Sequence, residues 1–99
     1  MTRVNVNKPA SLAAINWLLS RSGFDVRIAN GRGYYYVFSD DDAVMDALLA
    51  SAHMEQGLYG LGPYLNRHSA RTWIEAVSDK FLHEDASDIR KALLRCVSA

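Results

Sequence analysis

Four side chains in this sequence have the means for nucleophilic or metal chemistry: Cys96, His53, His68 and His83. Their spacing does not organise them. The histidines stand 15 residues apart, and none shares a compact ligand motif with Cys96 or with another histidine, so polar surface histidines are expected and no metal site. His53 and Glu55, two positions apart, diverge on a helix. Cys96 with a distant histidine is formally a nucleophile and a base. It falls, however, on the inner side of an expected terminal helix, where a small buried thiol is ordinary packing. The side chains of Asp40, Asp41 and Asp42 point in different directions, which suits a helix N-terminus better than a divalent cation. Gly57, Gly60 and Gly62 invite a phosphate-loop reading, but no Lys-Ser/Thr pair follows and Pro63 stands where a phosphate-binding helix would start. The expectation is a protein without enzymatic chemistry and without a cofactor.

The spacing that does organise side chains lies at Phe24–Phe38. Phe24, Val26 and Ile28 alternate with polar residues, Asn30-Gly31 follows, and Tyr34-Tyr35-Tyr36-Val37-Phe38 resumes an extended pattern. This predicts an antiparallel hairpin with a type I′ turn at Asn30-Gly31, for which both residues need positive φ; Gly33 can relieve a bulge. A two-residue loop pairs Ala29 with Arg32, and a four-residue loop shifts the register by two. Either register puts Phe24, Val26, Ile28, Tyr35 and Val37 on one face, and Tyr34, Tyr36 and Phe38 with Asp25 and Arg27 on the other. The second face, with Arg32 at the turn and Arg21 nearby, mixes cations with aromatic planes. Protein interfaces favour these residues, and so do sheets that stack single-stranded nucleic acid. A helix folded over that face, making a two-sided sheet, is the structural alternative.

Helices must position the ribbon. Asn7 as cap, Pro9 in the first turn, the apolar arc of Leu12, Ile15, Trp17, Leu18 and Leu19, and Gly23 as the stop predict a first helix. Val4 and Val6 suit a short edge strand over residues 2–6. After the hairpin, Ser39 or Asp40 can cap a second helix with a buried stripe of Val44, Met45, Leu48, Leu49 and Ala52, ended by Gly57. Residues 57–65 read as a loop or one short strand beside the hairpin, passing tightly over the sheet or exposing Leu58, Tyr59, Leu61 and Tyr64 for docking. Ser69 caps a third helix with Trp73, Ile74, Val77 and Phe81 inside. The pattern lapses at His83-Glu84-Asp85 and resumes as Ile89, Leu93 and Val97 behind Ser87, a fourth helix entered by a kink or short loop. The fold expected is a single α+β domain over residues 1–99, with the hairpin extended to three or four short strands.

Composition limits the partners. Net charge is zero over 99 residues, but residues 1–38 carry a balance of +4, residues 39–62 one of −5, and the remainder +1. The acidic middle counts against a broad nucleic-acid footprint. One cysteine excludes an internal disulfide, no apolar run approaches the roughly 20 residues that span a bilayer, and the N-terminus lacks a signal-peptide run, so a cytoplasmic protein is expected.

Asn7-Lys8-Pro9, Asn16-Trp17-Leu18-Leu19, Gly23-Phe24 and Gly31-Arg32-Gly33-Tyr34-Tyr35-Tyr36-Val37-Phe38, with the later Leu58-Tyr59 and Ser69-Ala70-Arg71-Thr72-Trp73-Ile74, make residues 7–82 resemble small accessory proteins of prophages, phages and other mobile elements. The acidic helix after the hairpin and the extra C-terminal helix depart from that pattern. The resemblance implies a context in which a host factor is bound, with inhibition of a defence system, as by anti-CRISPR proteins, one form of it; it supplies no catalytic residue. The function expected is therefore a non-enzymatic protein-binding module using Arg27, Arg32, Tyr34, Tyr36 and Phe38, with Tyr59 and Tyr64 as a second patch. Nucleic-acid binding by the same ribbon is the alternative, and pairing of two copies across it is a further use of the same surface.

Overall fold

The computed structural model describes residues 5–9, 11–31, 35–52, 60–61 and 67–97. In chain order these form α1 (Leu12–Ser20), β1 (Arg27–Asn30), β2 (Tyr35–Phe38), α2 (Asp42–Ala52), β3 (Gly60–Leu61), α3 (Ala70–Ser78), a 3-10 turn (Glu84–Ala86) and α4 (Ser87–Arg95). The α+β class and the helix–hairpin–helix–strand–helix–helix order agree with the sequence pattern.

The sheet is antiparallel with strand order β1-β2-β3. Ile28 pairs with Val37 and Asn30 with Tyr35, a register four residues beyond the Ala29–Arg32 pairing that a two-residue turn would impose. Asn30 ends β1 without positive φ, which rules out the type I′ turn at Asn30-Gly31; Gly23, at φ +87°, is the left-handed residue among those described. Because the displacement is even, Ile28, Tyr35 and Val37 keep the core face and Arg27, Tyr36 and Phe38 the other. Gly60 and Leu61 pair with Tyr36 and Tyr35, extending the hairpin to three strands.

Local hydrogen bonds explain where elements start. Ser11 Oγ caps α1 by accepting from Ala14 N–H at 3.1 Å, so the helix begins later than Asn7 and Pro9 imply. Pro9 instead bridges to Ser69, and the Lys8 and Val6 carbonyls accept the Ala70 and Arg71 N–H groups, closing the open end of α3. Val6 lies in a turn and not in an edge strand, while residues 2–4 lie outside the described residues. Beyond Gly23, the Ser22 hydroxyl engages both backbone groups of Phe24, taking Phe24 out of the ladder; β1 therefore starts at Arg27. Asp41 caps α2 through Ala43 and Val44 N–H, while the Ser39 hydroxyl and the Asp40 N–H bind Asp25 and the Asp40 carboxylate takes Arg27. Ser69 caps α3 as expected. Ser87 is the first residue of α4 and not its N-cap; His83 Nδ1 caps the preceding 3-10 turn through Asp85 N–H. Gly33 and Gly57 lie outside the described residues.

The core lies on the Ile28–Val37 face. Ile15, Leu18 and Leu19 of α1, Val44 and Leu48 of α2, Trp73, Ile74 and Val77 of α3, and Ile89 and Leu93 of α4 are buried there with Phe81. Full burial of each such side chain contributes about 1.5–3 kcal/mol. Tyr35 packs edge-on against Trp73, with ring centroids 5.5 Å apart, fastening β2 to α3. Trp17 and Leu49, expected in the buried arcs, are 38% and 42% exposed, since the inward stripes run through Ile15-Leu19 and Val44-Leu48. Asn16 does what no apolar pattern announces. Its Nδ2 donates to the Ile28 carbonyl at 3.0 Å, and its Oδ1 accepts the Ile28 N–H at 2.8 Å, closing the outward backbone groups at the middle of edge strand β1.

Candidate functional site

The face of the hairpin opposite the core carries Arg27, Tyr36 and Phe38, the three described members of the expected ribbon. Arg32, Tyr34, Tyr59 and Tyr64 lie outside the described residues. Arg27 and Phe38 are directly paired across the strands, and Tyr36 lies two residues from Phe38 on the same face. The Tyr36 and Phe38 rings are tilted at 47° with centroids 5.9 Å apart. The Arg27 guanidinium lies 4.5 Å from the Phe38 centroid, a cation–π stack. All three side chains are half-buried and none belongs to the core cluster, which takes Tyr35 and Val37 from the same strand.

Two carboxylates fix the arginine. Arg27 Nη2 donates to Asp40 Oδ2, while Nε stands 3.2 Å from Asp25 Oδ1 without hydrogen-bond alignment. Asp25 Oδ2 accepts from Asp40 N–H at 2.8 Å and from Ser39 Oγ at 3.2 Å. The Asp40 N–H is the largest influence holding the Asp25 carboxyl below its usual range; Arg27 and Ser39 add to it, and desolvation works against it. Arg27, with its partners Asp40 and Asp25, is held more firmly protonated than a free arginine. The sequence places Asp25 and Arg27 on one face, but it does not show that Asp40, from the start of α2, completes the cluster.

The groups with chemical potential stay dispersed. His68 is exposed and stacks edge-on at 6.3 Å from Trp73, and His83 is a turn cap; His53 lies outside the described residues. Cys96 is half-buried, donates to the Ala92 carbonyl at 3.4 Å, and burial pushes its thiol up, the charges of Arg21 and Arg95 opposing. Among the described residues no three His, Cys, Asp or Glu side chains form a metal-holding group, and no helix is long and apolar enough to cross a membrane.

Comparison of the chain with protein-family models, with curated proteins and with solved structures finds no match in any of the three.

Proposed function

We propose that the chain is a non-enzymatic protein-binding module that docks through the outer hairpin face, with Tyr36 and Phe38 as anchors and Arg27 as the brace beneath them. The supporting observation is the Arg27–Phe38 stack held by Asp25 and Asp40. Side chains ordered before contact lose little rotamer freedom on docking, and aromatic anchors carry most of the energy of small interfaces.

The charge count selects the partner's chemistry. One guanidinium faces two carboxylates, and the exposed Asp41 and Asp42 follow Asp40, so the patch is aromatic at its centre and acidic beside α2. A protein surface with an apolar centre and a basic rim complements it. Nucleic acid complements it less well, because Asp25 and Asp40 already offset the Arg27 charge. Arg32, Tyr34, Tyr59 and Tyr64 enter the proposed surface on sequence grounds alone. The resemblance of residues 7–82 to mobile-element accessory proteins points to a host factor as partner, acted on by steric occlusion in the cytoplasm, inhibition of a defence system being the most specific form.

The test is capture from nuclease-treated bacterial lysate by wild type, by Tyr36→Ala/Phe38→Ala, and by Asp40→Lys, each verified as folded by circular dichroism. The reading requires a defined protein held by wild type and lost from the double variant, with affinity lower by about 30-fold or more for each anchor removed. Charge reversal at Asp40 weakens the same complex. Equal capture by wild type and both variants, or capture abolished by nuclease, overturns it.

A further inference from the structure

The C-terminal ends of α1 and α4 meet around a cleft of about 380 Å³ lined by Arg21, Ser22, Ala92, Arg95 and Cys96. We propose that this cleft binds the oxyanion group, phosphate in the first instance, of a small molecule, with Arg21 and Arg95 as the paired cations.

Both arginines are anchored away from carboxylates. The Arg21 guanidinium rests 5.1 Å from the Trp17 ring centroid, one helical turn back, and Arg95 donates Nε to the Lys91 carbonyl at 3.4 Å. Among the described residues neither forms an ion pair, unlike Arg27 and Arg90, which face aspartates. Each guanidinium therefore keeps N–H donors for a ligand, and the planar fork suits an oxyanion.

Helix C-termini carry negative partial charge, which would repel an anion. Here the last carbonyls are closed by the chain itself: Leu18 and Leu19 accept from Arg21 and Ser22 N–H, and Leu93 and Leu94 from Cys96 and Val97 N–H. Two helix ends of about −0.5 each stand against two full positive charges, so the cleft is cationic. Its volume falls within the range of small-molecule sites, about 300–1,000 Å³, and exceeds what one inorganic ion fills. Cys96 lines the same cleft as both arginines, and their charges act on its thiol.

Cys96 is the one cysteine of the chain, so its alkylation reports on this cleft alone. Rates with anionic iodoacetate and neutral iodoacetamide are measured on native and urea-unfolded protein, with inorganic phosphate titrated at constant ionic strength. In parallel, backbone amide NMR shifts of Arg21, Ser22, Arg95 and Cys96 are followed through the phosphate titration. The expected result is a saturable phosphate response in at least one readout, lost in Arg21→Gln/Arg95→Gln. The iodoacetate-to-iodoacetamide ratio should also be about tenfold higher in the native than in the unfolded chain. No saturable response in either readout overturns the proposal, and so does one retained by the double variant, because the anion then binds elsewhere. A phosphomonoester that competes better than inorganic phosphate identifies the ligand as an organic phosphate; acetate competing equally well makes the site a general carboxylate and phosphate receptor.

Discussion

Arg27 and Phe38 face each other directly across β1 and β2, and the guanidinium stands over the ring, 4.5 Å from its centroid. The pair joins the sheet to α2, because the same guanidinium reaches Asp40 just before that helix begins. A cation on an exposed sheet face would ordinarily be available to any anion in solution. Here two aspartates hold it, and the aromatic ring is what remains presented.

Phe38→Ala removes a half-buried ring outside the core and should lower stability by about 1–2 kcal/mol. Phe81→Ala removes a ring that is 1% exposed and should cost about 3–5 kcal/mol. Urea unfolding of both variants measures the difference. Equal losses would mean that the outer face is packed as tightly as the core and is not free for docking.

The Asp25 carboxyl, accepting the Asp40 N–H, titrates lower in the folded chain than in the unfolded one. The unfolded chain therefore takes up the proton first on acidification. The contribution of Asp25 is complete above the ordinary carboxylate value of about 3.9 and is lost as the pH falls through that value towards the lower folded one. The stability gap between wild type and Asp25→Asn, read from urea midpoints, should be steady from pH 7 to 5 and shrink below pH 4. A gap independent of pH down to 3 contradicts the assignment.

Asn16→Ala leaves the N–H and the C=O of Ile28 without their side-chain partner. The expected loss is about 2 kcal/mol by chemical denaturation. Asn16→Asp retains an acceptor for the N–H while losing the donor to the carbonyl, and should fall between wild type and alanine. A neutral Asn16→Ala would show that water replaces the side chain at the β1 edge at no net cost.

Gly23→Ala tests backbone strain in isolation. At φ +87° a Cβ would meet nothing within 4 Å, so the change adds no clash. The expected loss of about 1–2 kcal/mol comes from the left-handed conformation alone, and Gly23→Asn should recover part of it. Thermal unfolding of the two variants provides the comparison.

Periodicity and short-range chemistry account for what was legible in the chain. Ile15, Leu19, Ile74, Val77, Ile89 and Leu93 recur at helical spacing and are buried, and Ile28 and Val37 alternate onto the core face. Face membership depends only on the parity of the pairing, so it held although the register differed by four residues from a two-residue turn. Gly23 takes the left-handed φ just beyond α1, and Ser69 starts α3 through a contact three residues on. The tertiary structure decided what depends on groups distant in sequence. Asp41, and not Ser39 or Asp40, caps α2; Asp25 binds the Ser39 hydroxyl and the Asp40 N–H from 14 and 15 residues away, and Arg27 takes the Asp40 carboxylate. Asn16 closes the edge of a strand 12 residues on. Arg27 reads as a free cation until Asp40 is brought to it, and Arg21 and Arg95 become neighbours only when the ends of α1 and α4 meet. Charge pairing and cleft formation follow distance in space, which a linear pattern does not encode; side-chain alternation and helix periodicity follow backbone geometry, which it does.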